Sequence, residues 1–110
     1  MKEGNYQWCI DACLDCMVAC NNCTSACLQE ATVKMMKACI ELNIECSIVC
    51  NAAVQVMSIR GETADELCRI CADIRTRCAK ECERHDMEHC KKCAIACRRC
   101  ADECYGMAAA

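Results

Sequence analysis

The stretch Cys9-Ile-Asp-Ala-Cys13-Leu-Asp-Cys16-Met-Val-Ala-Cys20-Asn-Asn-Cys23-Thr-Ser-Ala-Cys27 spaces its cysteines by four, three, four, three and four residues. In an α-helix, residues three and four apart share a face, so this spacing lays every sulfur along one stripe. A helical bundle normally fills such an a/d seam with Leu or Ile. Here the seam is written in thiols.

Reading outward from this stretch, the same rhythm returns in three more segments. The first helix is expected from Asn5, as N-cap, to about Leu28, with Ile10, Leu14, Met17 and Leu28 flanking the seam. Gln29 to Thr32 forms a polar break, and a second helix follows to about Ser58. Its seam reads Met36, Cys39, Asn43, Cys46, Cys50, Ala53 and Met57. Ile44 and Ile48 fall opposite Cys46 and suggest a contact with another subunit. Arg60-Gly61-Glu62 is the clearest turn, and Thr63-Ala64-Asp65-Glu66 has the pattern of a capping box. The third helix then carries Cys68, Cys71, Cys78 and Cys82 to about Glu83. After a break at Arg84 to Met87, the fourth carries Cys90, Cys93, Cys97, Cys100 and Cys104 to about Tyr105, with Gly106 as its stop. Four similar helices joined by three short breaks predict an all-α, up-down-up-down antiparallel four-helix bundle with a Cys-lined core, a single domain over residues 1–110.

Composition narrows the chemistry. In a short chain, 18 cysteines among 110 residues usually signal a secreted disulfide scaffold. The absence of proline, the presence of only three glycines and the helical period of the cysteines argue against that reading. Thiols one turn apart are also poor disulfide partners. The start Met-Lys-Glu-Gly-Asn-Tyr-Gln-Trp has no apolar export core, which favours the reducing cytoplasm. The run from Ser47 to Ile59 is too short and too interrupted to span a membrane. The net charge of -3, with both signs interspersed and no basic block, gives no support to nucleic-acid binding.

Seven CxxxC pairs hold 14 of the 18 cysteines: Cys9/Cys13, Cys16/Cys20, Cys23/Cys27, Cys46/Cys50, Cys78/Cys82, Cys93/Cys97 and Cys100/Cys104. Each pair sets two sulfurs one helical turn apart, near enough to share a soft ion. Thiolate ligation selects Cu(I), Zn(II) and iron-sulfur clusters. A four-thiolate Zn(II) site carries a charge of about -2, so several in one core are costly to bury. Cu(I) reaches neutrality at about one thiolate per ion and accepts few ligands, so it fits a polythiol core best. The competing readings are a zinc or cadmium thiolate buffer of metallothionein type, a thiol redox protein, and an ordinary core in which cysteine acts as a small hydrophobe.

Up-down topology brings Met35, Met36, His85, Met87 and His89 to one end, where imidazole and thioether are competent soft-metal ligands. Tyr6, Trp8, Met57, Tyr105 and Met107 gather at the other as an apolar plug. Copper is therefore expected to enter at the His/Met mouth and to meet Cys23/Cys27 before Cys9/Cys13.

Residues 13–23 (CLDCMVACNNC), 67–74 (LCRICADI) and 85–97 (HDMEHCKKCAIAC) together resemble the cytosolic bacterial copper storage proteins over nearly the whole chain. That resemblance implies a four-helix bundle assembling as a homotetramer, which stores many Cu(I) ions in the cytoplasm without catalytic turnover. It implies metal ligation by all seven CxxxC pairs, by Cys39, Cys68, Cys71 and Cys90, and by His85 and His89. The implied partners are copper ions and copper chaperone or recipient proteins, with no nucleic acid and no membrane. Two positions depart from the family pattern. Arg75 falls near the seam where another cysteine is expected after Cys71, and its long stem is expected to carry the charge to solvent. Asn43 stands where an acid is expected.

Overall fold

The computed structural model describes residues 2–109. They form α1 (Lys2–Gln29), a 3-10 turn (Val33–Met36), α2 (Lys37–Ser58), α3 (Ala64–Cys82) and α4 (Glu88–Ala109), with no strand among the described residues. Helices adjacent in sequence pack against each other, and α1 packs on α4 to close an antiparallel square 46 Å long and 18 by 17 Å across.

Both outer ends of the chain are more helical than the sequence pattern suggests. α1 starts at Lys2, so Asn5 lies within the helix and is not its N-cap. No proline stands in this segment to break the backbone hydrogen bonding of the helix. Gly106 does not stop α4, which continues to Ala109 with no glycine at positive φ. The residues after Gly106 are methionine and alanines, which favour helix.

The α2–α3 corner is closed by a Schellman motif. Arg60 adopts φ 52°, Gly61 N–H donates to the Val56 carbonyl at 3.0 Å, and Arg60 N–H donates to Met57 at 3.1 Å. Glycine at 61 suits a close approach, since a Cβ there would stand 2.9 Å from Val56 Cγ1 and force that side chain to shift. The expected capping box is not made: Thr63 is the N-cap of α3, but its side chain makes no capping bond. The turn is tied by backbone instead, with Leu67 N–H donating to the Thr63 carbonyl at 2.9 Å.

Sulfur and small side chains fill the centre. All 18 cysteines have 0% exposure, as do Ala53, Ala72 and Ala79. Larger apolar groups, among them Ile10, Met17, Ile40, Leu42 and Val49, pack around this core as a partly buried collar. The collar supplies hydrophobic burial that a thiol seam alone does not. Leu14, Leu28, Ile44 and Ile48 remain exposed. The helical stretch Val33–Ser58 is 26 residues long and holds an 18-residue window with a mean hydropathy of 1.3, so by length and composition it passes for a membrane-crossing helix, although the run from Ser47 to Ile59 within it is shorter. In the bundle its seam, from Met36 through Cys46 to Met57, is buried as expected.

Candidate metal centre

The i, i+4 spacing of CxxxC puts the two sulfurs of a pair side by side: Cys23 and Cys27 Sγ are 3.8 Å apart, and Cys93 and Cys97 are 3.9 Å apart. Antiparallel packing then interleaves the stripes. Sulfurs from different helices meet at 3.2 Å (Cys9 and Cys104), 3.5 Å (Cys50 and Cys71), 3.6 Å (Cys20 and Cys93) and 3.7 Å (Cys39 and Cys82). Two sulfurs bound to one ion at about 2.3 Å stand roughly 3.7 to 4.6 Å apart, so much of this network already has ligand spacing. Three groups of four thiols have all their sulfurs within 4.8 Å: Cys13/Cys71/Cys100/Cys104, Cys20/Cys78/Cys93/Cys97 and Cys23/Cys27/Cys39/Cys90. Cys104 also joins Cys9 and Cys68, and Cys100 also joins Cys16 and Cys50. Sulfurs shared in this way suit bridged, polynuclear metal binding. All the cysteines are free, and none forms a disulfide.

At one end, His89 stands over the last of these groups. Its Nδ1 is 3.5 Å from Cys23 Sγ, 3.6 Å from Cys90 and 4.0 Å from Cys27, while Nε2 pairs with Glu30 at 3.0 Å. Burial disfavours its charge, but the bonds to Cys23 and Glu30 outweigh burial and push the His89 pKa up. Burial, with the neighbouring Cys23, pushes the Cys27 thiol up to about 11 and the Cys90 thiol to about 12. A metal arriving here must displace protons. His85, expected beside it, is turned away: its Nε2 pairs with Glu81 at 2.9 Å, one turn back, and no thiol is among its hydrogen-bond partners in the described residues. Of the mouth methionines, Met36 is fully buried, Met87 packs partly against the core and Met35 is 74% exposed.

The opposite end is closed by fewer residues than expected. Met57 accepts from the Cys68 thiol at 3.6 Å, Met107 is buried, and Tyr6 donates to Asp65 at 3.2 Å across the bundle. Trp8 is 75% exposed, and Tyr105 faces outward to donate to Asp73 at 3.0 Å, so neither plugs the end. Both lie on helix faces away from the cysteine stripe.

Two polar side chains are fully buried among the sulfurs. Asn43 Oδ1 accepts from Cys78 at 3.1 Å and Cys93 at 3.3 Å, and its Nδ2 donates to Cys39 at 3.7 Å. Arg75 was expected to reach solvent and does not. Its Nε donates to Cys50 Sγ at 3.0 Å, Nη1 to Cys20 Sγ at 3.1 Å, and Nη2 to the Cys46 carbonyl. The seam position between Cys71 and Cys78 aims it inward, and acceptors there satisfy each nitrogen of the fork. Glu30 and Glu81, which hold the two imidazoles, had no signal in the sequence because their partners lie across a break or at a helix end.

A four-helix bundle that turns every cysteine into one continuous core defines a polythiol metal-binding protein. The sequence makes the assignment specific: residues 2–109 match the copper storage protein family, and the chain belongs to it. It is 46% identical over 92 residues to the cysteine-rich protein YhjQ of Bacillus subtilis strain 168, covering 84% of this chain and 85% of that protein. Cu(I)-bound copper storage protein BsCsp3 is similar in structure, with a TM-score of 0.88 and 45% identity over 91% of this chain and 94% of that one. A cytosolic copper storage protein from Streptomyces lividans, solved with five coppers, superposes with a TM-score of 0.95 at 35% identity, covering 99% and 96% of the two chains.

Proposed function

We propose that this protein stores Cu(I) in the cytoplasm as a thiolate-bridged array within its bundle. The observation that carries this reading is the shared-sulfur network: 18 free thiols with 0% exposure, in overlapping groups, with the buried guanidinium of Arg75 among them. Each bound Cu(I) replaces one thiol proton and leaves the local charge unchanged, so many ions can be buried together. Relatives support it, since the Streptomyces lividans protein has been loaded with 10 copper equivalents. All 18 cysteines and His89 are proposed as ligands; His85, expected as a ligand, is held by Glu81 at 2.9 Å and is left out of the set. Copper enters past His89 and fills inward from Cys23/Cys27. The protein holds its cargo without catalytic turnover, as one domain, and assembles as a homotetramer that exchanges copper with chaperone or recipient proteins.

A second reading has one observation in its favour: each of the three four-thiol groups could form a tetrahedral Zn(II) site. Against it stand the charge of about -2 that each such site would bury, and the sharing of Cys100 and Cys104 between groups. Anaerobic titration of the reduced protein with each metal distinguishes the two by stoichiometry, and size-exclusion chromatography with light scattering tests the tetramer.

A further inference from the structure

Arg75 lies at the centre of the thiol core, and its contacts fall on two sides of it. Cys50, which receives Nε, belongs with the thiols of the far end, 3.5 Å from Cys71 and 3.8 Å from Cys100. Cys20, which receives Nη1, belongs with those of the His89 end, 3.6 Å from Cys93 and 3.8 Å from Cys97. The guanidinium therefore separates the two sets on the α2/α3 side. There the Cys46 thiol is also diverted, donating to the Ile74 carbonyl at 3.4 Å. On the α1/α4 side the sulfurs run on without a break, with Cys97 3.6 Å from Cys16 and 3.8 Å from Cys20. Had position 75 been cysteine, Cys71 and residue 75 would make one more CxxxC pair, and the α2/α3 column would be continuous as well.

We propose that Arg75 is a built-in cation that stands in for copper at the middle of the core. It divides the store into an outer and an inner compartment joined through Cys16, Cys20 and Cys97, and it lowers the number of ions the core accepts. The inference rests on the Cu(I) storage reading. A guanidinium is charged at all relevant pH values, and here it is fully buried. A copper ion at Cys20 or Cys50 would compete with the guanidinium for the same thiolate charge. The same charge already balances one thiolate of the loaded core, so neutrality is reached with one copper fewer than the thiols alone would need.

Charge balance gives a graded test. Arg75→Lys keeps the cation and is expected to keep the capacity. Arg75→Met keeps bulk without charge and is expected to take up about one ion more, whereas Arg75→Cys loses a cation and gains a thiolate and is expected to take up about two more. Native mass spectrometry of the anaerobically loaded full-length proteins resolves single ions, and circular dichroism identifies any variant that fails to fold. Release to the Cu(I) chelator bathocuproine disulfonate is the second readout. The unsubstituted protein is expected to release copper in two phases, and Arg75→Cys to speed the slower phase severalfold. Equal capacity in folded Arg75→Met, Arg75→Cys and unsubstituted protein overturns the proposal, as does single-phase release from the unsubstituted protein. Failure of the storage reading looks different: the unsubstituted protein would saturate at about one ion per three or four thiols.

Discussion

His89 presents Nδ1 to the Sγ of Cys23 at 3.5 Å, and on its other side Nε2 pairs with Glu30 at 3.0 Å. A carboxylate behind an imidazole fixes which nitrogen faces the metal and how the ring is turned. His89→Ala is therefore expected to slow Cu(I) uptake roughly tenfold, and Glu30→Gln to slow it less. Stopped-flow absorbance of the copper–thiolate bands under anaerobic conditions measures this, and unchanged uptake in His89→Ala would remove the imidazole from the copper route.

The other imidazole provides the contrast. His85 is held by Glu81 at 2.9 Å and faces no thiol among the described residues. His85→Ala is expected to leave the uptake rate within about twofold of the unsubstituted protein, since the ring makes no contact that orients a ligand. A loss as large as that of His89→Ala would mean that His85 swings inward to meet copper.

Asn43 is the sole fully buried side chain among the described residues to offer the core an oxygen acceptor, taking S–H bonds from Cys78 at 3.1 Å and Cys93 at 3.3 Å. Asn43→Ala leaves those thiols without that oxygen and opens a cavity. The expected loss is about 1–3 kcal/mol in the metal-free protein, read by urea denaturation. Asn43→Asp is expected to be worse, because it buries a carboxylate beside thiols that must also ionise when copper binds.

At the surface, Glu83 accepts two bonds from Arg98, at 3.0 Å to Nε and 2.8 Å to Nη2, which tie the C-terminal end of α3 to α4. The Arg98 bonds hold the Glu83 carboxyl below the usual carboxylate value. A carboxyl whose folded pKa is depressed adds stability above its unfolded value, near 4.3, and loses it as pH falls through the folded value. Glu83→Gln is expected to flatten that part of the acid limb of thermal stability while changing neutral-pH stability little, because the pair is about half exposed. An acid limb that stays unchanged would show that the pair contributes nothing.

Most of the fold was legible because the informative residue was repeated at a helical period. Cysteines at intervals of three and four declared both the helices and their inward faces, and the buried stripe of α2 matches position for position, including Asn43 and Met57. Single residues with two physical options were harder to read. Arg75 lies on the seam, at four residues from Cys71 and three from Cys78, which was the available signal for burial. The habit of long cationic stems to snorkel argued the other way, and the acceptors that reverse it come from α1 and α2. The two histidines look alike in sequence, and only the three-dimensional positions of Glu30 and Glu81 separate them. Thr63 matched a capping pattern, yet its side chain makes no capping bond and the α3 turn is tied by backbone instead.

The most direct test is anaerobic titration of the fully reduced protein with Cu(I) and, separately, Zn(II), with circular dichroism recorded before any metal is added. The apolar collar around the thiols is expected to keep the metal-free chain helical. Cu(I) binding is then expected to saturate close to one ion per thiol, with release of about one proton for each ion bound. Saturation by Cu(I) at about one ion per three or four thiols, the ratio of isolated thiolate sites, would contradict storage in a shared-sulfur core.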